Sequence, residues 1–195
     1  MSKIALLLTQ GFADWEYALI GGTAGPFYGI EVQYFTPVAG QVRSQGGLGA
    51  QVSENLDNLQ DWQPDALVVV GGMIWTTDQS PDIRNLLNQQ HSSGTVVAGI
   101  CGGTLALARA GLLNEGPHTS NDPDYLTQNA RDYAGTEHYL KSPSAVSANR
   151  IITAPGTAPV SFAAAVYDSI GMDQSTIAQF KAMMAAEFGS DLNAT

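Results

Sequence analysis

The residues with the clearest chemical potential are Gly99-Ile100-Cys101-Gly102-Gly103. Their spacing, G-x-C-x-G, lies between an apolar run, Val96 to Ile100, and a helical run, Thr104 to Arg109. Strand, sharp turn, helix is the context of a nucleophile elbow, here with Cys in place of Ser. A side chain on so sharp a turn crowds its neighbours, and glycines two positions to either side relieve the crowding. The following helix N-terminus aims free N–H groups and a positive dipole end at sulfur. That predicts a thiol pKa below the free value of about 8.5. A lone cysteine in an arbitrary strand is more often inert and buried; the three-part context makes Cys101 a candidate nucleophile.

A nucleophile needs a place for developing oxyanion charge. Gly71-Gly72 ends a neighbouring apolar run, and strand ends share one edge of an open parallel sheet. The N–H groups of Gly72 and Gly102 together fit an oxyanion hole. Trp75, just beyond, is either a pocket wall or ordinary packing. Asp14 and Glu16 follow the first strand, and either carboxyl could reach the same edge. In contact with the thiol it would hold a proton, its pKa raised by burial and like charge; otherwise it caps its helix. Of the three histidines, His91 ends a helix distant from the elbow, while His118 and His138 are each open to contact with the thiol. No H-E-x-x-H spacing, Walker motif or dinucleotide fingerprint occurs, so no metal or cofactor is expected.

The elements that must position these residues read as an alternation. Lys3–Thr9 is a buried strand. Asp14 caps a helix running to Tyr28, stopped by Gly29. Residues 30–35 form a second strand, and 41–52, rich in glycine, a hairpin or irregular strand. Residues 66–70 form a third strand. Ser80-Pro81 opens a helix that Gly94 ends, and 95–100 is another all-apolar strand. After the elbow helix comes a polar, irregular stretch, 114–141, with one helical turn near Tyr125. Residues 145–148 and 151–153 flank Asn149-Arg150 as a hairpin. Helices follow from Pro159 to Ile170 and from Asp173 or Ser175 to Phe188. Strands apolar throughout need cover on both faces, so the fold class is a three-layer α/β/α sandwich with a mostly parallel sheet. One domain is expected over residues 1–188, with a loose tail at 189–195.

Composition narrows the function. The chain has 195 residues, 44% of them hydrophobic, and 8 Lys and Arg against 18 Asp and Glu, a formal charge of −10. So few cations make a poor partner for nucleic acid or an anionic membrane surface. A single cysteine excludes an intrachain disulfide and a multi-thiolate zinc site. The opening apolar run is too short for a signal peptide or a membrane span. A cytoplasmic protein is expected.

The order of motifs resembles a known family. Gly11, Trp15-Glu16-Tyr17, Val68-Val69-Val70-Gly71-Gly72, Ala98 to Gly103, and Ala154-Pro155-Gly156-Thr157 together resemble the DJ-1/ThiJ/PfpI superfamily over about residues 2 to 170. His118-Thr119-Ser120-Asn121 resembles its bacterial branch described as class I glutamine amidotransferase-like or intracellular protease/amidase-like. The resemblance implies a flavodoxin-like fold and a homodimer. It sets Cys101 on the reactive cysteine, Glu16 (in preference to Asp14) on the acid that hydrogen-bonds its sulfur, and Gly72 on the oxyanion glycine. PfpI-type proteases carry His directly after the cysteine, where this chain has Gly102, so peptidase action is not expected. Many DJ-1-like members carry His where this chain has Asn121, with His118 three residues earlier. Class I glutamine amidotransferases complete a triad with a late His, and none follows His138, so glutaminase action is not expected.

Three functions follow as expectations. The first is a cysteine-dependent small-molecule hydrolase, hydratase or glyoxalase/deglycase-like enzyme. The second is a redox sensor or stress-protective protein in which Cys101 oxidises. The third is a binding module without catalysis.

Overall fold

The computed structural model describes residues 1–189, the last three by backbone alone. Six strands form one sheet in the order β2-β1-β5-β6-β8-β7. They are β1 (Lys3–Leu7), β2 (Glu31–Phe35), β5 (Ala66–Val69), β6 (Val96–Ile100), β8 (Ile151–Ala154) and β7 (Val146–Ala148). The first five are parallel, and β7 pairs antiparallel to β8 at the edge. The hairpin expected at 41–52 is a separate antiparallel pair, β3 (Gly40–Arg43) and β4 (Gly49–Val52).

Both faces of the central strands are covered. Ile4, Leu6, Val68 and Ala98 pack against α1 (Asp14–Tyr28), α6 (Pro159–Ser169) and α7 (Gln174–Gly189) through Ile20, Phe162 and Phe180. Ala5, Leu7, Leu67 and Val97 pack on the opposite side, against α3 (Arg84–Ser92) and α4 (Gly103–Arg109) through Leu87 and Leu105. Successive strand residues point to opposite faces, so burial on both faces demands the continuous apolar runs seen in the sequence. This is the three-layer α/β/α sandwich expected from them.

Several elements depart from the sequence reading. The third helix begins at Arg84, not at Ser80. Its N-cap is Ile83 without a side-chain cap, because the Ser80 hydroxyl instead accepts from Arg109 Nη1 at 2.8 Å. Asp14 does not cap α1 either. Ala13 is the N-cap, and Asp14 Oδ2 accepts from the Gly46 N–H at 2.7 Å. A helix absent from the reading, α2 (Leu56–Trp62), is started by a capping box of Asn55 and Asn58. The helical turn near Tyr125 is the seven-residue α5 (Pro123–Asn129), capped by Asp122. The expected tail lies, from residue 190 on, outside the described residues, and Gly189 closes α7. No helix among the described residues is long and apolar enough to cross a membrane.

Candidate active site

Cys101 sits between β6 and α4 with a φ of 53°. A left-handed backbone costs a non-glycine residue about 1–2 kcal/mol, so the turn needs fastening. The Cys101 N–H donates to Ala154 O at 2.9 Å. Its carbonyl accepts from Thr104 Oγ1 at 2.6 Å and from the Thr104 N–H at 3.2 Å. At about 1 kcal/mol each, these bonds offset the strain. The flanking glycines permit the approach: a Cβ on Gly99 would lie 3.1 Å from Gly103 C and 2.9 Å from Leu107 Cδ1.

Glu16, in the first turn of α1, is brought to this turn although it lies 85 positions before the thiol in the chain. It is 1% exposed. Its Oε2 accepts from the Gly71 N–H at 2.8 Å. Its Oε1 has no hydrogen-bond partner among the described residues and lies on the thiol's side, close to the same Gly156 position as Sγ. Gly156, after β8, closes the third side: a Cβ there would lie 3.0 Å from Sγ and 3.1 Å from Glu16 Oε1.

Asn121 supplies the remaining contact. Its Nδ2 donates to Sγ at 3.2 Å, and its Oδ1 accepts from the Gly156 N–H at 2.9 Å. The Gly156 N–H needs an acceptor, which fixes the amide orientation and turns the NH₂ group toward sulfur. Trp15 Nε1 donates to Gly156 O at 2.9 Å, so that glycine is held from both sides. Gly156 and Trp15 were visible in the sequence only as parts of motifs. Nothing local assigned them to the thiol's surroundings, because the bonds joining them span 141 residues.

The electrostatics correct one expectation. Burial lifts the Glu16 carboxyl from its ordinary value to about 7. The thiol is not lowered by the helix end. Burial first, then the charge of Glu16, lift it to about 11 against the opposing pull of Asn121 and the Gly102 N–H. Taking an anion out of water beside a second acid outweighs the partial charge of one short helix end. At neutral pH the thiol keeps its proton, and Glu16 stands near half-ionisation as its neighbour.

The other candidates divide. The turns of Gly72 and Gly102 touch: a Cβ on Gly102 would lie 3.1 Å from Gly72 N and 2.7 Å from Gly72 O. Neither N–H donates to a backbone carbonyl among the described residues. Trp75 is fully buried, with Nε1 donating to Val70 O at 3.0 Å. It backs the Gly102 turn as packing and does not wall an open pocket. Asp14 is committed to Gly46, away from sulfur. Both ring nitrogens of His118 are engaged, Nδ1 with Gly116 O at 2.8 Å and Nε2 with Tyr133 OH at 2.7 Å. His138 lies against Glu137 at 3.5 Å. Neither histidine is brought to Cys101.

The chain matches the DJ-1/PfpI family over residues 2–169. It belongs to that family. The uncharacterized protease YoaZ of Bacillus subtilis (strain 168) is 33% identical over 171 residues, covering 84% of this chain and 81% of that protein. The DJ-1 superfamily protein Atu0886 of Agrobacterium tumefaciens superposes with a TM-score of 0.90 at 36% identity, covering 96% of this chain and all of that one. The thiJ/pfpI family protein of Bacillus anthracis superposes with a TM-score of 0.82 at 28% identity, covering 93% and 89% of the two chains. The DJ-1/PfpI membership accounts for the three layers and the strand-turn-helix at Cys101 together.

Proposed function

We propose that this DJ-1/PfpI protein is a cysteine-dependent enzyme acting on a small electrophilic carbonyl compound, as a hydrolase, hydratase or glyoxalase/deglycase-like catalyst. The observation that carries this reading is the buried Glu16 Oε1, unpartnered among the described residues and set beside the Cys101 thiol next to Gly156. Such a carboxylate is a base already in place. As sulfur adds to the carbonyl carbon, the S–C bond forms, the thiol proton passes to Glu16, and the C=O π pair moves to oxygen. The N–H groups of Gly72 and Gly102 receive that oxyanion. Glu16 then returns its proton to the oxyanion, or to a leaving group as C=O re-forms and the bond to that group breaks; in the latter case water, deprotonated by Glu16, adds to the thioester and breaks the S–C bond, and the proton returns to sulfur. Asn121 holds sulfur but, as an amide, accepts no proton, so the base is the carboxylate.

The test is turnover of a panel of dicarbonyls and amides. Activity on one class that disappears in Cys101→Ser and falls at least tenfold in Glu16→Gln is expected. No turnover above the Cys101→Ser control leaves a binding module in place of an enzyme.

A second reading, a redox sensor, is favoured by the donors around sulfur. Asn121 Nδ2, and Glu16 when protonated, would hydrogen-bond oxygens added to Sγ, and the chain offers no second thiol for a disulfide. Mass spectrometry after mild peroxide should then show two added oxygens confined to Cys101. Sulfonate or no oxidation counts against it. We place the protein in the cytoplasm, on its single cysteine and acidic balance, as a homodimer by family resemblance. A light-scattering mass of 20.5 kDa rather than twice that would remove the dimer.

A further inference from the structure

Beyond the thiol site, we infer that the crevice at the carboxyl ends of β1, β2 and β5 binds a compact, neutral small molecule carrying a carboxamide-like group on an apolar body. The chain runs from β1 to β2 on one side and then crosses to β5 on the other. That reversal opens a crevice beyond the strand ends where doubly wound sheets take ligands. Here it holds a cavity of about 370 Å³, within the span of small-molecule pockets, about 300–1,000 Å³.

Its chemistry is specific in kind. Val38, Val42, Ile74 and Pro81 give apolar walls, and no ionisable side chain among the described residues lines it. Thr9, also lining it, is 2% exposed, yet its Oγ1 has no hydrogen-bond partner. Buried hydroxyls are nearly always paired; this one belongs to a lining residue but is covered in its present position, and a turn about χ1 would present it to an occupant. Gln10 adds a second polar group: its Oε1 accepts from the Arg43 N–H at 2.7 Å, which leaves its NH₂ to donate. A group that both donates and accepts, on a flat apolar frame, meets these walls; a charged one would be desolvated without a counter-ion. Val38, 79% exposed, stands at the mouth. The Gly72 turn and Phe12, bridged to each other, separate this crevice from Cys101.

The test is titration of the isotope-labelled full chain with benzamide, followed by amide NMR shifts, with benzoate as the charged comparison. Saturable shifts at Thr9, Val38 and Ile74 with a Kd on the order of 1 mM are expected for so small a probe. Benzoate should bind about tenfold more weakly. Thr9→Val, which keeps the shape and removes the orphan hydroxyl, should weaken benzamide about fivefold, and Val38→Trp should block it from an exposed position that folding does not need. No saturable shifts at these residues, shifts centred on Cys101 and Gly156 instead, or unchanged binding in both variants would overturn the inference.

Discussion

Glu16 and Cys101 are two neighbouring acids beside Gly156, and their protons govern both reactivity and stability. With Glu16 near 7 and the thiol near 11, alkylation of Cys101 by iodoacetamide should rise as Glu16 becomes a base around pH 7, level off, and rise again toward pH 11. Glu16→Gln should erase the lower step and leave the upper one. A single midpoint below about 8.5, unchanged in Glu16→Gln, would restore control by the helix end. The same shift predicts a stability effect. Glu16 is raised from 4.5 to about 7 on folding, so the folded state favours its neutral form. That contribution is complete below pH 4.5 and is lost as pH rises through about 7, at a cost of about 3 kcal/mol for a group this buried. Urea melts of the parent and Glu16→Gln should diverge between pH 4.5 and 8, the variant gaining on the parent at the alkaline end. Parallel curves would refute the assignment.

At the level of elements, turns decide where chemistry lands. The β7–β8 hairpin turns on Asn149 and Arg150, with φ of 52° and 60°, the two-residue geometry that favours Asn-Gly. Arg150→Gly should therefore raise stability by about 1 kcal/mol, read as a higher denaturation midpoint; a lower one would mean that its side chain matters more than its backbone. The elbow behaves oppositely. A Cβ on Gly99 meets Gly103 backbone and Leu107, so Gly99→Ala should cost about 1–3 kcal/mol and slow Cys101 alkylation through displacement of the turn. An unchanged midpoint would show that α4 can move away freely. The elbow was legible because its glycines, strand and helix are adjacent in sequence. The start of α3 was not: Ser80-Pro81 has the right local chemistry, but Arg109, 29 residues away, takes the hydroxyl.

For the whole molecule, charge is the dominant long-range term. The formal charge is −10, and the ion pair found among the described residues with both partners charged is the exposed Arg84–Asp82 contact. Self-repulsion outweighs such a pair. Raising salt from about 0.01 to 0.15 M, which shortens the screening length from about 30 to 8 Å, should raise the Tm. A fall in Tm would mean that attractive pairs dominate. The packing that opposes this repulsion is the double burial of the sheet, and it was readable from unbroken runs such as Ala66-Leu67-Val68-Val69.

The layer architecture, the hairpin at Asn149-Arg150 and the strand-turn-helix around Cys101 were legible from the residues in order. Each follows from periodicity, turn chemistry or steric relief among neighbours in the chain. Local sequence chemistry left open which side chains meet the sulfur; the family resemblance favoured Glu16, and the folded chain brings it there with Asn121. Asp14 and Glu16 are equivalent in local terms, yet only Glu16 points inward from α1, toward the Gly71 N–H. Asn121 reaches sulfur while His118, three residues earlier, turns to Tyr133. The direction of the thiol pKa was also a tertiary matter. A helix end is a local feature, whereas burial beside a second acid exists only once α1, β6 and the segment after β8 have closed around the same point.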